Sequence, residues 1–309
     1  MRPIILNSTH LIDDGFQNKY KFKFSPNMVV KKGDTISVSS INLYYSWFNI
    51  TDSSVGGKYN NNVFYYIWPY TITGGVNTSE TKVEITPGYY NASTLNTFLQ
   101  KIMVDKGHYL VDSTGQFLYY LQITENATYY AIEFQNFTVP NTIGTNVLPN
   151  ASNGSPSWAF PGSGITSICP QFVVPSTNNF GTLVGFSAGT YPFTVANIAT
   201  NYYPSTASTS NTSTISDITP QLSPVSCILV DCNLVNNPYT VPRGLIYAIT
   251  PVDTDFGAMI SSQPTVESFV QMFPGSHQEL IITLKDQLNN DIAVGDSNLV
   301  IILNIQSVE

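Results

Sequence analysis

Alternation of apolar and polar residues is the strongest structural signal along the chain. In the stretch NKYKFKF, Tyr20, Phe22 and Phe24 alternate with lysines, which is the period of a strand with one buried face. Further segments rich in β-branched and aromatic residues are also predicted to form strands: 33–50, 61–72, 116–124, 128–137, 226–235, 244–250, 278–285 and 298–306. The pair 116–124 and 128–137 is joined by a short loop, which predicts a β-hairpin.

A single segment has the period of a helix. Between positions 93 and 107 the apolar residues recur at helical spacing: Leu95, Phe98, Leu99, Ile102 and Met103. Asn91 or Ser93 is suited to cap the N-terminus of this helix, and Gly107 is suited to close its C-terminus. Many strands around one short helix, without regular strand–helix alternation, indicate an all-β fold and not a parallel α/β sheet.

An uncharged segment interrupts the strand pattern. From residue 134 to residue 216 the chain contains no Asp, Glu, Lys or Arg. The Ser/Thr-rich stretch at its end, 202–217, has too few apolar residues to bury itself, so we expect a long exposed loop. The sequence therefore predicts a single antiparallel jelly-roll β-sandwich from 1–138 and 225–309, with an inserted loop-rich β region at 139–224.

Composition narrows the classes of function. The net charge of −8 and the sequence pI of about 4.7 argue against nucleic-acid binding over most of the surface, and no sequence-specific nucleic-acid binding is expected. Apolar runs are too short for a signal peptide or a transmembrane segment, so we expect a soluble protein that is not secreted. His10, His108 and His277 lack metal-ligand spacing, and no glycine-rich phosphate loop is present, so no metal or cofactor is expected.

The pentapeptide GFSAG, residues 185–189, matches the G-x-S-x-G pattern of a hydrolase nucleophile elbow. Downstream residues would complete the order Ser, Asp, His of an esterase: Asp231, Asp253, Asp255 and His277. In such an elbow a helix follows the serine and presents backbone N–H groups to the oxyanion. Residues 193–209 have neither helical period nor a cap. We therefore interpret GFSAG as a structural turn and expect the protein not to be an enzyme.

Aromatic residues leave a carbohydrate-binding function open. Tyr, Trp and Asn are common in lectin-type jelly rolls, and Trp47, Trp68 and Trp158 are candidates to stack on sugars. Trp47 and Trp68 lie within strand patterns, which favours a place in the core for these two.

Several segments occur in order along nearly the whole chain: RPIILNS at 2–8, SINLYYSWFNIT at 40–51, NNVFYYIWP at 61–69, ITPGYYNASTLNTFLQ at 85–100, NNFGTLVGFSAGTYP at 178–192, CNLVNN at 232–237 and LKDQLNNDIAVGDSNLVIILNIQ at 284–306. Together they resemble the penton, or minor capsid, proteins of virophages and polinton-like viruses of the double-jelly-roll capsid lineage. None of these segments is a catalytic motif.

This resemblance implies a structural virion protein. Such a penton forms a homopentamer at the icosahedral fivefold vertices and fills the openings between capsomers of a double-jelly-roll major capsid protein. The expected location is the capsid vertex, with assembly in the host cytoplasm, and the 139–224 insertion is a candidate contact for a host receptor or a glycan. The alternative function is a glycan-binding jelly-roll module for virion attachment or a lectin-like role.

Basic residues are concentrated at the start of the chain. Half of the 12 basic residues fall within the first 32 positions: Arg2, Lys19, Lys21, Lys23, Lys31 and Lys32. A cluster of this kind is usually a solvated face, but it also suits a shell protein that faces a nucleoprotein interior. Lys21, Lys23, Lys31 and Lys32 are therefore candidate interface residues on an inward-facing or capsomer-facing surface.

Overall fold

The computed structural model describes residues 2–12, 14–52, 59–72, 75–76, 78–137, 139, 169–192, 213–251 and 254–308. The chain forms two compact units. Met1–Phe48 and Ser223–Glu309 form the terminal unit, and Asn49–Leu222 form the central unit. The border at 222/223 lies two residues from the expected border at 224/225. The other border, at 48/49, differs from the expected border at 138/139. Residues 49–138 belong to the central unit because strands from this range pair with strands from 171–174 and 213–215.

Most elements of the chain are short strands. The strands that precede the first helix are β1 (Arg2–Asn7), β2 (Leu11–Ile12), β3 (Lys19–Val30), β4 (Thr35–Tyr44), β5 (Val63–Ile67), β6 (Thr71–Ile72), β7 (Gly75–Val76) and β8 (Glu80–Glu84). After helix α1 (Ala92–Lys106) come β9 (Leu110–Val111), β10 (Phe117–Leu118), β11 (Leu121–Asn126), β12 (Ala131–Asn136) and β13 (Gln171–Val174). Helix α2 (Phe180–Val184) is followed by β14 (Gly189–Tyr191), β15 (Ser213–Ile215), β16 (Ile228–Cys232), β17 (Leu245–Ile249), β18 (Met259–Ser262), β19 (Val270–Gln271), β20 (Gly275–Asp286) and β21 (Val300–Gln306).

The terminal unit is an antiparallel jelly-roll sandwich, as the sequence predicts. Sheet A has the order β1-β21-β4-β18, with β19 also paired to β4, and sheet B has the order β17-β16-β20-β3-β2. Apart from β17, which follows β16 in sheet B, the main strands alternate between the sheets: β1, β4, β18 and β21 lie in sheet A, and β3, β16 and β20 lie in sheet B. This alternation wraps the chain around one core in the manner of a jelly roll.

Each sheet of the terminal unit buries one of its two sides. In β1 the buried residues are Ile4 and Leu6, and in β20 they are Leu280, Ile282 and Leu284. Side chains of a strand point alternately to its two faces, so the residues between these positions form the outward face of each sheet. The outward faces are the surfaces that this unit offers to other molecules.

The central unit contains two further antiparallel sheets, β14-β13-β5-β8 and β11-β12-β15, together with the small pairs β9–β10 and β6–β7. The predicted hairpin is confirmed as β11 and β12. Helix α1 is also confirmed: Asn91 Oδ1 accepts the Thr94 backbone N–H at 2.9 Å, and Gly107 ends the helix with a left-handed φ of 71°.

Stacked aromatic rings fill the core of the central unit. The ring of Phe134 lies 3.9 Å from that of Phe186 and 4.2 Å from that of Phe172, measured between ring centroids. The ring of Phe64 stacks on that of Phe180 at 4.6 Å. These stacked rings bury a large apolar area. The core therefore joins residues from both sides of the predicted 138/139 border.

Two local predictions are corrected by the structure. The described residues contain two α-helices instead of one, because the five residues of α2 form a turn too short to show helical periodicity in the sequence. The exposed loop predicted at 202–217 includes a strand, since Ser213–Ile215 pair with residues 133–135 of β12. The edge of β12 that is not paired with β11 forms backbone hydrogen bonds with this Ser/Thr segment. The side chains of the segment do not have a strand pattern, so the sequence did not predict this pairing. Residues 202–212 lie outside the described part of the chain.

The alternation in β3 is only partly reflected in burial. Tyr20 is completely buried, as predicted, whereas Phe22 and Phe24 are half-buried. Strand β2 pairs with β3 only at Tyr20 and Lys19, so no described strand covers the β3 edge beyond this point. The two phenylalanines therefore contribute to the surface as well as to the core.

Candidate assembly surfaces

Part of the outward face of sheet A carries no charged residue across four strands. We term it the neutral face, and its residues are Ile5, Ser40, Asn42, Tyr44, Met259, Ser261, Val300 and Ile302. Cross-strand pairing places them together: Ile5 lies opposite Ile302, Asn42 opposite both Val300 and Ser261, and Met259 opposite Tyr44. Residues directly opposite one another point to the same side of a sheet.

Several aliphatic side chains of the neutral face are exposed. The exposed fractions are 53% for Ile5, 56% for Met259 and 39% for Val300. Glu267 lies beside this face, where its carboxylate accepts hydrogen bonds from the Asn304 amide at 2.9 Å and the Ser37 hydroxyl at 2.7 Å. These bonds hold the pKa of Glu267 below its usual range. A neutral surface with exposed aliphatic residues has a low desolvation cost when a partner covers it.

Sequence patterns alone did not assign these residues to a surface. The segment 298–306 was predicted to be a strand and the segment 2–7 was not, and both are nearly continuous apolar runs. A run of this kind does not show which residues point outward, since its period is hidden. The register between β1 and β21 shows which of their residues point outward, and these include the exposed aliphatic residues of the neutral face.

The outward face of sheet B, termed the charged face, carries ion pairs. Lys19 Nζ lies 2.6 Å from an Asp14 oxygen and 3.5 Å from one of Asp291, and Lys21 Nζ lies 3.6 Å from Glu279. All of these side chains are partly exposed, so each pair contributes at most about 1 kcal/mol to stability. The predicted interface residue Lys21 is therefore already paired within its own chain.

The four predicted interface lysines do not form one cluster. Lys21 and Lys23 lie on β3, whereas Lys31 and Lys32 occupy the turn between β3 and β4. Eight residues of extended chain separate Lys23 from Lys31, up to roughly 26 Å. The turn is organised by Asp34, whose carboxylate accepts the Lys31 backbone N–H at 2.8 Å. This bond and a second from the backbone N–H of Val308 lower the pKa of Asp34.

Two of the three tryptophans lie in the cores. Trp47 is 2% exposed and Trp68 is fully buried, as expected, although Trp47 lies after the end of β4 and Trp68 directly after β5. Neither side chain is available to stack on a sugar. Trp158 lies outside the described residues. The glycan-binding alternative therefore gains no stacking surface from Trp47 or Trp68.

The GFSAG segment has the chain order opposite to that of a nucleophile elbow. Helix α2 precedes Ser187, and strand β14 follows it. The Ser187 backbone N–H donates to Asp217 Oδ1 at 2.9 Å, and its carbonyl accepts the Tyr191 hydroxyl at 2.7 Å. Asp231, Asp255 and His277 belong to the terminal unit, whereas Ser187 belongs to the central unit, and Asp253 lies outside the described residues. The local geometry is that of a structural turn.

Gly185 is the residue on which this turn depends. Its φ of 81° is left-handed, and an added Cβ would contact the carbonyl oxygen of Ile218 and lie 2.9 Å from the Pro220 nitrogen. We expect Gly185→Ala to lower the free energy of unfolding by at least about 2 kcal/mol. Ser187→Ala should change it by less than about 0.5 kcal/mol, because both hydrogen bonds described above use the Ser187 backbone. Urea unfolding monitored by tryptophan fluorescence measures both values, and equal losses would contradict the assignment.

Two other kinds of site have no candidate within the described ranges. No group of three or more His, Cys, Asp or Glu residues there is arranged to hold a metal ion. No helix in the same part of the chain is long and apolar enough to cross a membrane.

Comparison with solved structures shows a likeness to a penton protein. The crystal structure of the selenomethionine-labelled mavirus penton protein aligns with 99% of this chain and 100% of its own, at 10% sequence identity and a TM-score of 0.43. No protein-family model matches the chain. No curated protein matches it either.

Proposed function

We propose that this chain is a structural capsid protein, and that its copies assemble into a pentamer which closes the fivefold vertices of an icosahedral virion. The observation that carries the proposal is the neutral face, with its exposed aliphatic residues and no charged residue. The jelly-roll topology of the terminal unit and the resemblance of ordered sequence segments to penton proteins support the same function.

A cyclic pentamer requires a heterologous contact, in which one surface of each copy meets a different surface of the next. The neutral face is suited to be one of these surfaces because its desolvation separates no ion pair shown by the structure. The charged face, with its internally paired lysines, is suited to remain in water or to face the surrounding capsomers. In this arrangement the partners are further copies of the chain and the double-jelly-roll major capsid protein.

The mass in solution tests this proposal. Light scattering after size exclusion is expected to give five times the chain mass of 34.0 kDa. The double variant Ile5→Lys/Met259→Lys should weaken assembly at least roughly 100-fold, because it would bury unpaired charges in the contact. Circular dichroism should show that the variant remains folded, since both side chains are more than half exposed.

A matched control places the same charges on exposed apolar residues elsewhere in the terminal unit. Leu288 and Val241 are 73% and 77% exposed and lie in loops next to sheet B strands. Leu288→Lys/Val241→Lys should leave the mass unchanged. A monomeric wild type at every concentration, or equal dissociation of both double variants, would remove the neutral face from the proposal.

A further inference from the structure

A groove opens beside the edge of sheet B, and we term it the edge groove. It has a volume of about 410 Å³ and is lined by Thr9, His10, Leu11, Ile12, Lys21, Phe22 and Lys23. The groove exists because β2 pairs with β3 over two residues only, Leu11 with Tyr20 and Ile12 with Lys19. Before Leu11 the chain turns away in the short 3-10 helix Ser8–His10.

One wall of the edge groove is an open strand edge. On its other side β3 pairs with β20 at residues 19–23 and again at residues 28–30. On the groove side, no strand in the described part of the chain pairs with β3 beyond Tyr20. An edge strand of this kind presents alternate backbone N–H and C=O groups that another extended chain can pair with.

Aromatic rings give the edge groove an apolar part. The imidazole ring of His10 stacks on the ring of Phe22 at 5.6 Å, and the ring of Phe24 meets that of Phe22 edge-on at 5.4 Å. Side chains of an added strand would find apolar contacts here as well as backbone partners.

The lining of the edge groove is positive although the whole chain is negative. It includes Lys21 and Lys23 but no carboxylate, whereas the net charge of the chain is −8. The Lys21 ammonium nitrogen lies 3.6 Å from a Glu279 carboxylate oxygen, so its charge is already paired within the chain. Lys23 forms no ion pair with any residue that the structure describes. The ammonium group of Lys23 is therefore the principal charge available to a ligand.

We propose that the edge groove binds an extended acidic peptide segment of a partner protein, which adds to β3 as a further strand and places carboxylates against Lys21 and Lys23. Open backbone groups favour a polypeptide over a polyphosphate, because a polyphosphate would engage the lysines and leave the strand edge unused. Charge complementarity favours an acidic segment. This site is independent of the pentamer proposed above.

Fluorescence anisotropy with the full chain tests the proposal. The probe is a fluorescein-labelled peptide of ten residues in which Glu alternates with Thr and Val. Lys21→Gln/Lys23→Gln should weaken its binding roughly tenfold, and so should replacement of Glu by Gln in the peptide. N-methylation of alternate peptide nitrogens should weaken it by a similar factor, since it removes the donors needed for strand pairing. The matched variant Lys31→Gln/Lys32→Gln should retain wild-type affinity within about twofold.

Several outcomes would overturn the proposal. Equal loss in both lysine variants, or unchanged binding of the N-methylated peptide, would show charge attraction without strand addition. Displacement of the peptide by a single-stranded oligonucleotide that itself requires Lys21 and Lys23 would assign the groove to phosphate. A fall in solution mass in the Lys21→Gln/Lys23→Gln variant would assign it to a second copy of the chain. Lys23→Gln alone provides the same test should the double variant fail to fold.

Discussion

The free energy of unfolding of the central unit is expected to fall by roughly 3 kcal/mol as the pH drops from 6.5 to 4, because of His108. The imidazole of His108 stacks on the Trp68 ring, with the ring centroids 5.2 Å apart and the ring planes 6° from parallel. Its Nδ1 lies 2.7 Å from the Tyr66 hydroxyl oxygen. Burial lowers the pKa of His108 from 6.5 to about 4, and the positive charge of Lys106 contributes a smaller lowering.

The surroundings of His108 favour the neutral imidazole. Burial raises the pKa of Tyr66, so its hydroxyl keeps its proton and is able to donate to an unprotonated Nδ1 of the neutral ring. Protonation of Nδ1 would turn it from an acceptor into a donor that faces the Tyr66 hydroxyl, and this hydrogen bond would be lost unless the hydroxyl turned away. The other neighbour in this aromatic group, Tyr120, packs edge-on against Trp68 and also has a pKa raised by burial, to about 12.

The sign of the pH effect follows from the lowered pKa. The unfolded chain protonates His108 near pH 6.5, whereas the folded chain protonates it near pH 4. Between these values the unfolded state binds more protons, so this contribution to stability is complete above pH 6.5 and is lost as the pH falls to 4. Below pH 4 both states carry the proton and the loss stops growing.

Urea unfolding at pH 7 and at about pH 4.5 measures the loss. His108→Phe keeps an aromatic ring against Trp68 but removes the titrating group, so it should remove most of the difference between the two pH values. Lys106→Gln removes the smaller electrostatic cause and should reduce the difference only slightly. Carboxyl groups titrate alike in all three proteins, and their effects cancel in the comparison. An undiminished difference in His108→Phe would contradict the assignment.

Asn49→Leu is expected to lower the free energy of unfolding by about 3–5 kcal/mol. Asn49 is 1% exposed. Its Nδ2 donates to the carbonyl oxygens of Tyr90 at 2.6 Å and Leu222 at 2.7 Å, and its Oδ1 accepts the Tyr90 backbone N–H at 2.8 Å. Leucine would leave these three backbone groups without this partner, and each unsatisfied buried group costs about 1–3 kcal/mol.

The position of Asn49 explains why a single amide has this effect. Asn49 is the first residue of the central unit, and Leu222 is the last. The Asn49 side chain therefore joins the point where the chain enters this unit to the point where it leaves. An amide is required because it presents two donors and an acceptor at once.

Urea unfolding of three variants measures the contribution of Asn49. Asn49→Asp keeps an acceptor for the Tyr90 N–H but loses the donors to both carbonyls, so it should also be destabilised by at least about 2 kcal/mol. Asn27→Leu is the control, because Asn27 is exposed and its amide makes only a 3.5 Å contact with the Ser276 hydroxyl. It should change stability by less than about 0.5 kcal/mol. A loss below about 1 kcal/mol in Asn49→Leu would contradict this account.

Local patterns predicted the elements whose determinants lie close together in the chain. Helix α1 was recognisable from its apolar spacing and from Asn91 and Gly107, which cap it through contacts within four residues. The hairpin of β11 and β12 was recognisable from two strand-like runs and a short loop. In both cases the deciding interactions join residues that are neighbours in sequence.

Pairing between distant segments could not be predicted in this way. Strand β1 pairs with β21, so that Arg2 lies opposite Ile305, and no local pattern connects the two ends of the chain. The first border between the compact units differs from the expected 138/139 for the same reason, because residues 171–173 pair with β5. The candidate lysines were grouped by their nearness in sequence, and the structure divides them between β3 and the turn that follows it.

The amino-acid sequence by itself determined that this is an all-β protein with a jelly-roll pattern, a capped helix and a structural GFSAG turn, because residue periodicity and turn chemistry act over a few positions. Only the tertiary structure decided which faces are neutral, which strand edge stays open and why His108 resists protonation. These properties depend on cross-strand register and burial, which arise when segments far apart in the chain pack together.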